Sequence, residues 1–146
     1  MVKGDPILIV GGGLGGVAAA LALGRKGFRV PVLEQAPEFG VIGYGIQLGP
    51  NVFSMFDRLG ITDAVLAQSI TPKAVLMIDS VDAGIIVRIP TGASFRERFK
   101  RPYIVIHRVD LHRILLDACK ELSNVELIAL RGCRVRELGR PSSCDN

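Results

Sequence analysis

The chain has 146 residues, 49% of them apolar and 22% charged, which is one domain's length with enough apolar content for a core and no sign of intrinsic disorder. Its net charge of +4 lies wholly in residues 96–146, where eleven basic side chains meet seven acidic ones; only Phe95 and Phe99 could stack on bases there, so the clusters read as solvated surface and not as a nucleic-acid face. Three cysteines, Cys119, Cys133 and Cys144, form no Cys-x-x-Cys pair and have only His107 and His112 as possible companions, which excludes a zinc pattern and fits a reducing cytoplasm.

Ile7 to Gly24 is an uncharged stretch of eighteen residues, close to the length of a membrane span. Five of its glycines crowd into Gly11–Gly16, where a bilayer would demand regular backbone pairing. Asp5-Pro6 stands where a secretory leader would carry basic residues. The stretch therefore reads as strand, turn and helix in a soluble protein. Ile7–Val10 is the buried strand, 11–16 the turn, and the Ala- and Leu-rich 17–26 the helix. Gly27 ends that helix, and Val30–Glu34 is a second strand, parallel to the first in a βαβ unit. Pro31 is unusual there, since proline cannot donate to a ladder. Either the strand starts at Val32 or the pairing is weakened.

A glycine-rich loop follows over 39–51. Phe53, Phe56 and Leu59 predict a helix over 51–59 and read as core. Thr62 caps a short helix to Gln68. Residues 75–79 and 85–89 flank Asp82-Ala-Gly84 and predict a hairpin. Strands at 103–106 and 125–129 bracket a helix over 110–122, capped by Asp110. His107 and His112 are five residues apart and do not share a helix face well, and Cys119 reads as a small packing residue. No metal site is expected.

The motif that carries chemistry is Gly11-x-Gly13-x-x-Gly16, placed after a strand and opening a helix. Gly11 makes the tight turn, Gly13 lets backbone approach a pyrophosphate, and Gly16 lets helix and strand pack closely. The helix N-terminus offers unpaired amides to phosphate. Three glycines alone are weak support; Ala20, Leu23, Gly27 and an acidic strand end at Glu34 strengthen it. Glu34 can accept both ribose hydroxyls and would repel a 2′-phosphate. That argues against NADP and leaves FAD or NAD.

Gly11 to Glu34 fits the longer pattern GxGxxGxxxAxxLxxxGxxVxVxE of FAD-binding proteins. With Gly45-Ile-Gln-Leu-Gly-Pro-Asn51, Phe56-Asp-Arg-Leu-Gly60 and Ile106-His-Arg-Val-Asp-Leu-His112, the chain resembles single-component (class A) flavoprotein aromatic hydroxylases of the 3-hydroxybenzoate 6-hydroxylase and salicylate hydroxylase kind. The resemblance covers about residues 5–129. It implies an α/β, Rossmann-like FAD-binding βαβ domain, incomplete, with a small hairpin insertion. It also implies bound FAD, NADH as co-substrate, oxygen, and a small hydroxybenzoate-type substrate. Gly11, Gly13, Leu14, Gly15, Gly16, Glu34 and Gln35 would hold the adenosine diphosphate part. Gly45 and Ile46 would lie beside the flavin, and Arg108 would reach the pyrophosphate. Tyr44 stands where the family pattern has a small residue, which bears on the flavin contact.

The resemblance extends over only part of such an enzyme. The family's later Asp-Gly and Gly-Asp motifs and its substrate-binding sheet have no counterpart here. Residues 1–130 thus read as a partial FAD-binding domain and 131–146 as an irregular basic tail, arising from truncation, an altered frame or a disordered end. The chain alone is expected to lack turnover and to self-associate through exposed core. The alternatives are a NAD-dependent oxidoreductase domain and a non-enzymatic nucleotide-binding remnant.

Overall fold

A computed structural model describes residues 4–39 and 44–129; the basic tail, Cys133 and Cys144 lie outside the described residues. The elements in chain order are β1 (Ile9–Val10), α1 (Leu14–Arg25), β2 (Val30–Leu33), β3 (Gly45–Leu48), a 3-10 turn (Pro50–Val52), α2 (Phe53–Leu59), α3 (Thr62–Ala67), β4 (Ser69–Ile70), β5 (Ala74–Ile78), β6 (Ile85–Pro90), α4 (Ala93–Phe99), β7 (Ile104–His107), α5 (Arg108–Lys120) and β8 (Val125–Ile128). They fall into two units, one formed by Met1–Gly43 with Val109–Asn146 and the other by Tyr44–Arg108.

The first unit is the expected βαβ fold. Its sheet has the order β1-β2-β8 and is parallel throughout, with Val10 opposite Leu33 and Leu33 opposite Ile128. Val30, Val32 and Leu33 are buried, as are Val17, Ala20 and Leu21 of α1 and Leu111, Leu115, Leu116 and Cys119 of α5. Such apolar faces on both sides of a parallel strand supply its main stabilisation.

Pro31 stays inside the central strand, which begins at Val30 and not at Val32. The hydrogen-bond parity explains this. Val30 N and Glu34 N donate toward β8, to Asn124 O and Ile128 O. Position 31 therefore faces β1, where the bonds Ile7 N to Arg29 O and Gly11 N to Leu33 O lie on either side of it. The missing donor removes one bond on that side, while pairing with β8, Pro31 opposite Glu126, carries the strand through.

Helix α1 ends in a Schellman arrangement. Gly27, at φ +87°, donates to Gly24 O, and Phe28 donates to Leu23 O. Asn124 secures the same end from the sheet, its Nδ2 donating to Gly24 O at 2.8 Å and Phe28 O at 2.6 Å.

The second unit holds an antiparallel sheet of order β3-β7-β4 and the separate hairpin β5-β6. Its core is Phe53, Phe56, Leu59, Ile61, Val65, Ile104 and Ile106, with the two phenylalanine rings edge to face at 5.9 Å. Residues 45–48, expected in a loop, form β3. Thr62 does not cap α3: the cap position is Ile61, and the Thr62 hydroxyl donates instead to Asp57 Oδ1 at 2.6 Å. A carboxylate acceptor draws the hydroxyl away from the helix end. The hairpin is present at nearly its expected bounds, but Leu76, Met77, Ile78, Ile85, Ile86, Val87 and Ile89 are all exposed.

Candidate dinucleotide-binding site

β1 delivers the chain into the glycine bend and α1 carries it away. Gly11, at φ +105°, makes the turn, a conformation that an L side chain resists. Its amide still reaches Leu33 O at 2.8 Å, so the bend starts from a fixed rung. A Cβ on Gly16 would overlap the carbonyl oxygen of Gly11; close helix–strand approach therefore requires glycine here.

The N-terminus of α1 is left open toward a ligand. Its N-cap is Gly13, no side chain caps it, and no acidic residue lies in its first turn. Nothing stands within 4 Å of where a Cβ of Gly13 or Gly15 would be. An anion could thus approach the backbone there without displacing a side chain.

Glu34 ends β2 beside this bend. Its Oε2 accepts the Gly12 amide at 2.7 Å and its Oε1 accepts the Ala36 amide at 2.9 Å. The Ala36 amide above all, then that of Gly12, hold the carboxyl below its ordinary value, assisted by Gln35 and His112. Each oxygen keeps a second lone pair, so the carboxylate can still accept hydroxyl donors. Gln35 follows it in an exposed position, and the ring of Phe39 lies against the Cα of Gly12.

The sequence reading gave His112 no part in the site. In the structure it is buried, with Nε2 2.6 Å from Gly12 O. The signal available was a polar residue inside the apolar stripe of α5, in step with Leu115, Leu116 and Cys119. Cys119 packs as expected, with Sγ 3.5 Å from Val17 O, and burial raises its thiol pKa to about 11. A thiol so protonated is a poor nucleophile.

In the second unit, Gly45 pairs with His107 and Ile46 with Ile106 across β3 and β7. Arg108 N donates to Tyr44 O at 3.2 Å. The expected residues Gly45, Ile46 and Arg108 are thus brought together at one end of this sheet. The Arg108 side chain is exposed, and Tyr44 is 90% exposed. Gln47 Oε1 accepts from the Tyr103 hydroxyl at 2.5 Å, tying β3 to the residue just ahead of β7. Among the described residues no cluster has the makings of a metal site, and no helix is long and apolar enough to cross a membrane.

Residues 5–128 match the family model described as FAD binding domain. The chain is 52% identical over 133 residues to 3-hydroxybenzoate 6-hydroxylase of Polaromonas naphthalenivorans (strain CJ2), covering 90% of this chain and 33% of that protein. It is 38% identical over 118 residues to 6-hydroxynicotinate 3-monooxygenase of Pseudomonas fluorescens, covering 81% of this chain and 31% of that one. Among solved structures, 2-methyl-3-hydroxypyridine-5-carboxylic acid oxygenase (mutant C294A) superposes with a TM-score of 0.75 at 25% identity, over 90% of this chain and 33% of the other. The p-nitrophenol 4-monooxygenase PnpA of Pseudomonas putida DLL-E4 shares the fold, with a TM-score of 0.79 at 22% identity over 91% of this chain and 33% of the other. The chain spans about a third of the length of the curated relatives it matches. With the family match running through nearly all the described residues, from the glycine bend to the end of β8, the chain belongs to the FAD binding domain family and is similar to the FAD-binding part of flavin-dependent aromatic hydroxylases.

Proposed function

We propose that this chain is the FAD-holding part of a cytoplasmic monooxygenase that hydroxylates a hydroxybenzoate-type ring with NADH and oxygen. The single observation that carries the FAD reading is the glycine bend. An open, uncapped helix start lies beside a carboxylate that is already anchored, by Gly12 and Ala36, with lone pairs to spare.

In this reading the amides at Gly13, Leu14, Gly15 and Gly16 take the pyrophosphate, with Gly11 setting the turn. Glu34 accepts the adenosine ribose hydroxyls, and Gln35 borders the adenosine. Gly45 and Ile46 flank the isoalloxazine, and Arg108 supplies a guanidinium to phosphate oxygen. When bound, FAD supplies the redox chemistry, passing reducing equivalents from NADH to oxygen. The chain's own groups bind and orient it. The substrate class rests on the likeness to 3-hydroxybenzoate 6-hydroxylase. With a third of such a protein's length, this chain by itself is read as lacking turnover.

The test is a titration of the 146-residue chain with FAD, followed by quenching of flavin fluorescence. Saturable binding, weakened about tenfold in Glu34→Ala as befits the loss of charge-assisted hydrogen bonds, is the expected result. No quenching, or a preference for NAD, would overturn the FAD reading. Robust NADH oxidation stimulated by hydroxybenzoate would overturn the incompleteness.

A further inference from the structure

We infer that His112 is a positioning residue for the dinucleotide loop, holding the Gly12 carbonyl while Glu34 holds the Gly12 amide. The inference rests on the FAD reading only for the identity of the ligand.

The geometry is specific. Gly12 O lies 2.6 Å from His112 Nε2, across one hundred residues of sequence. A carbonyl oxygen only accepts, so the contact places a hydrogen on Nε2. On the other side of the same residue, Gly12 N donates to Glu34 Oε2 at 2.7 Å. Gly12 is therefore gripped at both of its polar atoms by side chains from two different elements, α5 and the end of β2. A glycine has the widest backbone freedom of any residue, so a segment of five glycines needs such external restraint to present its amides in one arrangement. Ordering the loop in advance spares a ligand that cost on binding.

The position of His112 on its helix supports this. His112 and Cys119 are two turns apart on α5, and both reach backbone carbonyls of the segment that opens α1, Gly12 O and Val17 O. Leu115 and Leu116 between them are buried. The helix thus lies along the bend as a rigid backing, and the imidazole is the polar group it extends to the loop itself.

The experiment compares the full 146-residue chain with His112→Leu, His112→Gln and Cys119→Ala. Leucine keeps apolar volume but has no donor. Glutamine restores an N–H donor. Cys119→Ala disturbs the same helix without touching the loop. Three quantities are read: FAD affinity, the melting midpoint without FAD, and hydrogen exchange of the Gly12 amide without FAD. His112→Leu is expected to weaken FAD about tenfold, the scale of one lost buried hydrogen bond, and to speed Gly12 exchange. His112→Gln should recover most of both effects. Cys119→Ala should lower the melting midpoint while leaving both nearly unchanged.

The positioning role is overturned if His112→Leu leaves Gly12 exchange as in the parent. It is equally overturned if Cys119→Ala weakens FAD as much for the same loss of melting midpoint. Failure of the unmutated chain to bind FAD sinks the ligand reading alone, and the exchange measurement then decides the role of His112.

Discussion

Gly16 and Gly11 approach so closely that a Cβ on the first would overlap the carbonyl oxygen of the second. Backbone is on the receiving side of that overlap, so no rotamer change relieves it. Gly16→Ala is expected to cost about 1–3 kcal/mol or more, as overpacking against a fixed neighbour does. Gly15→Ala makes the contrasting case, because nothing lies within 4 Å of its Cβ position. It should leave the flavin-free fold as stable or raise it by about 0.5–1 kcal/mol through helix propensity, yet weaken FAD by filling the approach to the amides. Thermal melts and FAD titrations of the two variants separate packing from binding.

Glu34 ties pH to the shape of the bend. Its carboxyl is held below the ordinary value of 4.5, chiefly by the Ala36 and Gly12 amides. A carboxyl lowered in the folded state stabilises fully above its unfolded value, and that contribution is lost as pH falls through the lower folded one. Local order at the bend should therefore persist down to pH 4.5 and fade below it. In Glu34→Gln the acid dependence should be blunted, because the amide has no charge to lose. Exchange of the Gly12 amide between pH 3 and 6 checks this, where ~3–6 spans the usual range of carboxyl titration.

Asn124 should prove costly to replace. Its Nδ2 serves two carbonyls, those of Gly24 and Phe28. Asn124→Ala removes both bonds, leaving Gly24 O only its backbone donors such as the Gly27 amide, at about 1–3 kcal/mol, read as a fall of several degrees in the melting midpoint. Asn124→Asp should be as harmful near neutral pH, since a carboxylate brings only acceptors to two acceptors.

The hairpin β5-β6 offers apolar side chains on both faces, with the successive residues Leu76 43% exposed and Met77 60% exposed. A two-stranded hairpin is marginal in water by itself, and apolar area of this kind favours association. Replacing Met77 and Ile86 by lysine is expected to reduce self-association of the chain in sedimentation velocity. FAD affinity should not change, because neither residue belongs to the glycine bend.

The residues that were legible in the sequence are those whose local pattern fixes their environment. The Gly11–Glu34 spacing predicts strand, turn, helix and strand, and each is found. The first strand, however, expected buried over Ile7–Val10, is only Ile9–Val10 with Leu8 and Val10 exposed, because it lies at the edge of the sheet order β1-β2-β8 among the described residues. Phe53 and Phe56 were legible as core from their helical spacing. β3 was not: Gly45-Ile-Gln-Leu48 is short and glycine-flanked, and becomes a strand only because β7 offers it an edge. Helix α4 was missed because Ala93–Phe99 has no buried residue and so no apolar stripe to read. The start of α5 was set at Asp110, but β7 runs directly into the helix at Arg108, and Asp110 sits inside the first turn. His112 was the largest omission at the site. Its partner is a backbone carbonyl a hundred residues away, and no spacing rule encodes such a pair.

Pro31 gives the first unit's sheet two unequal ends. At the glycine bend the rungs are complete, from Gly11 N to Leu33 O and from Glu34 N to Ile128 O. Toward the opposite end Pro31 removes one donor facing β1, with Ile7 N bonded to Arg29 O beyond it. The single missing donor lies away from the glycine bend, so the bend springs from the fully bonded end of the strand pair.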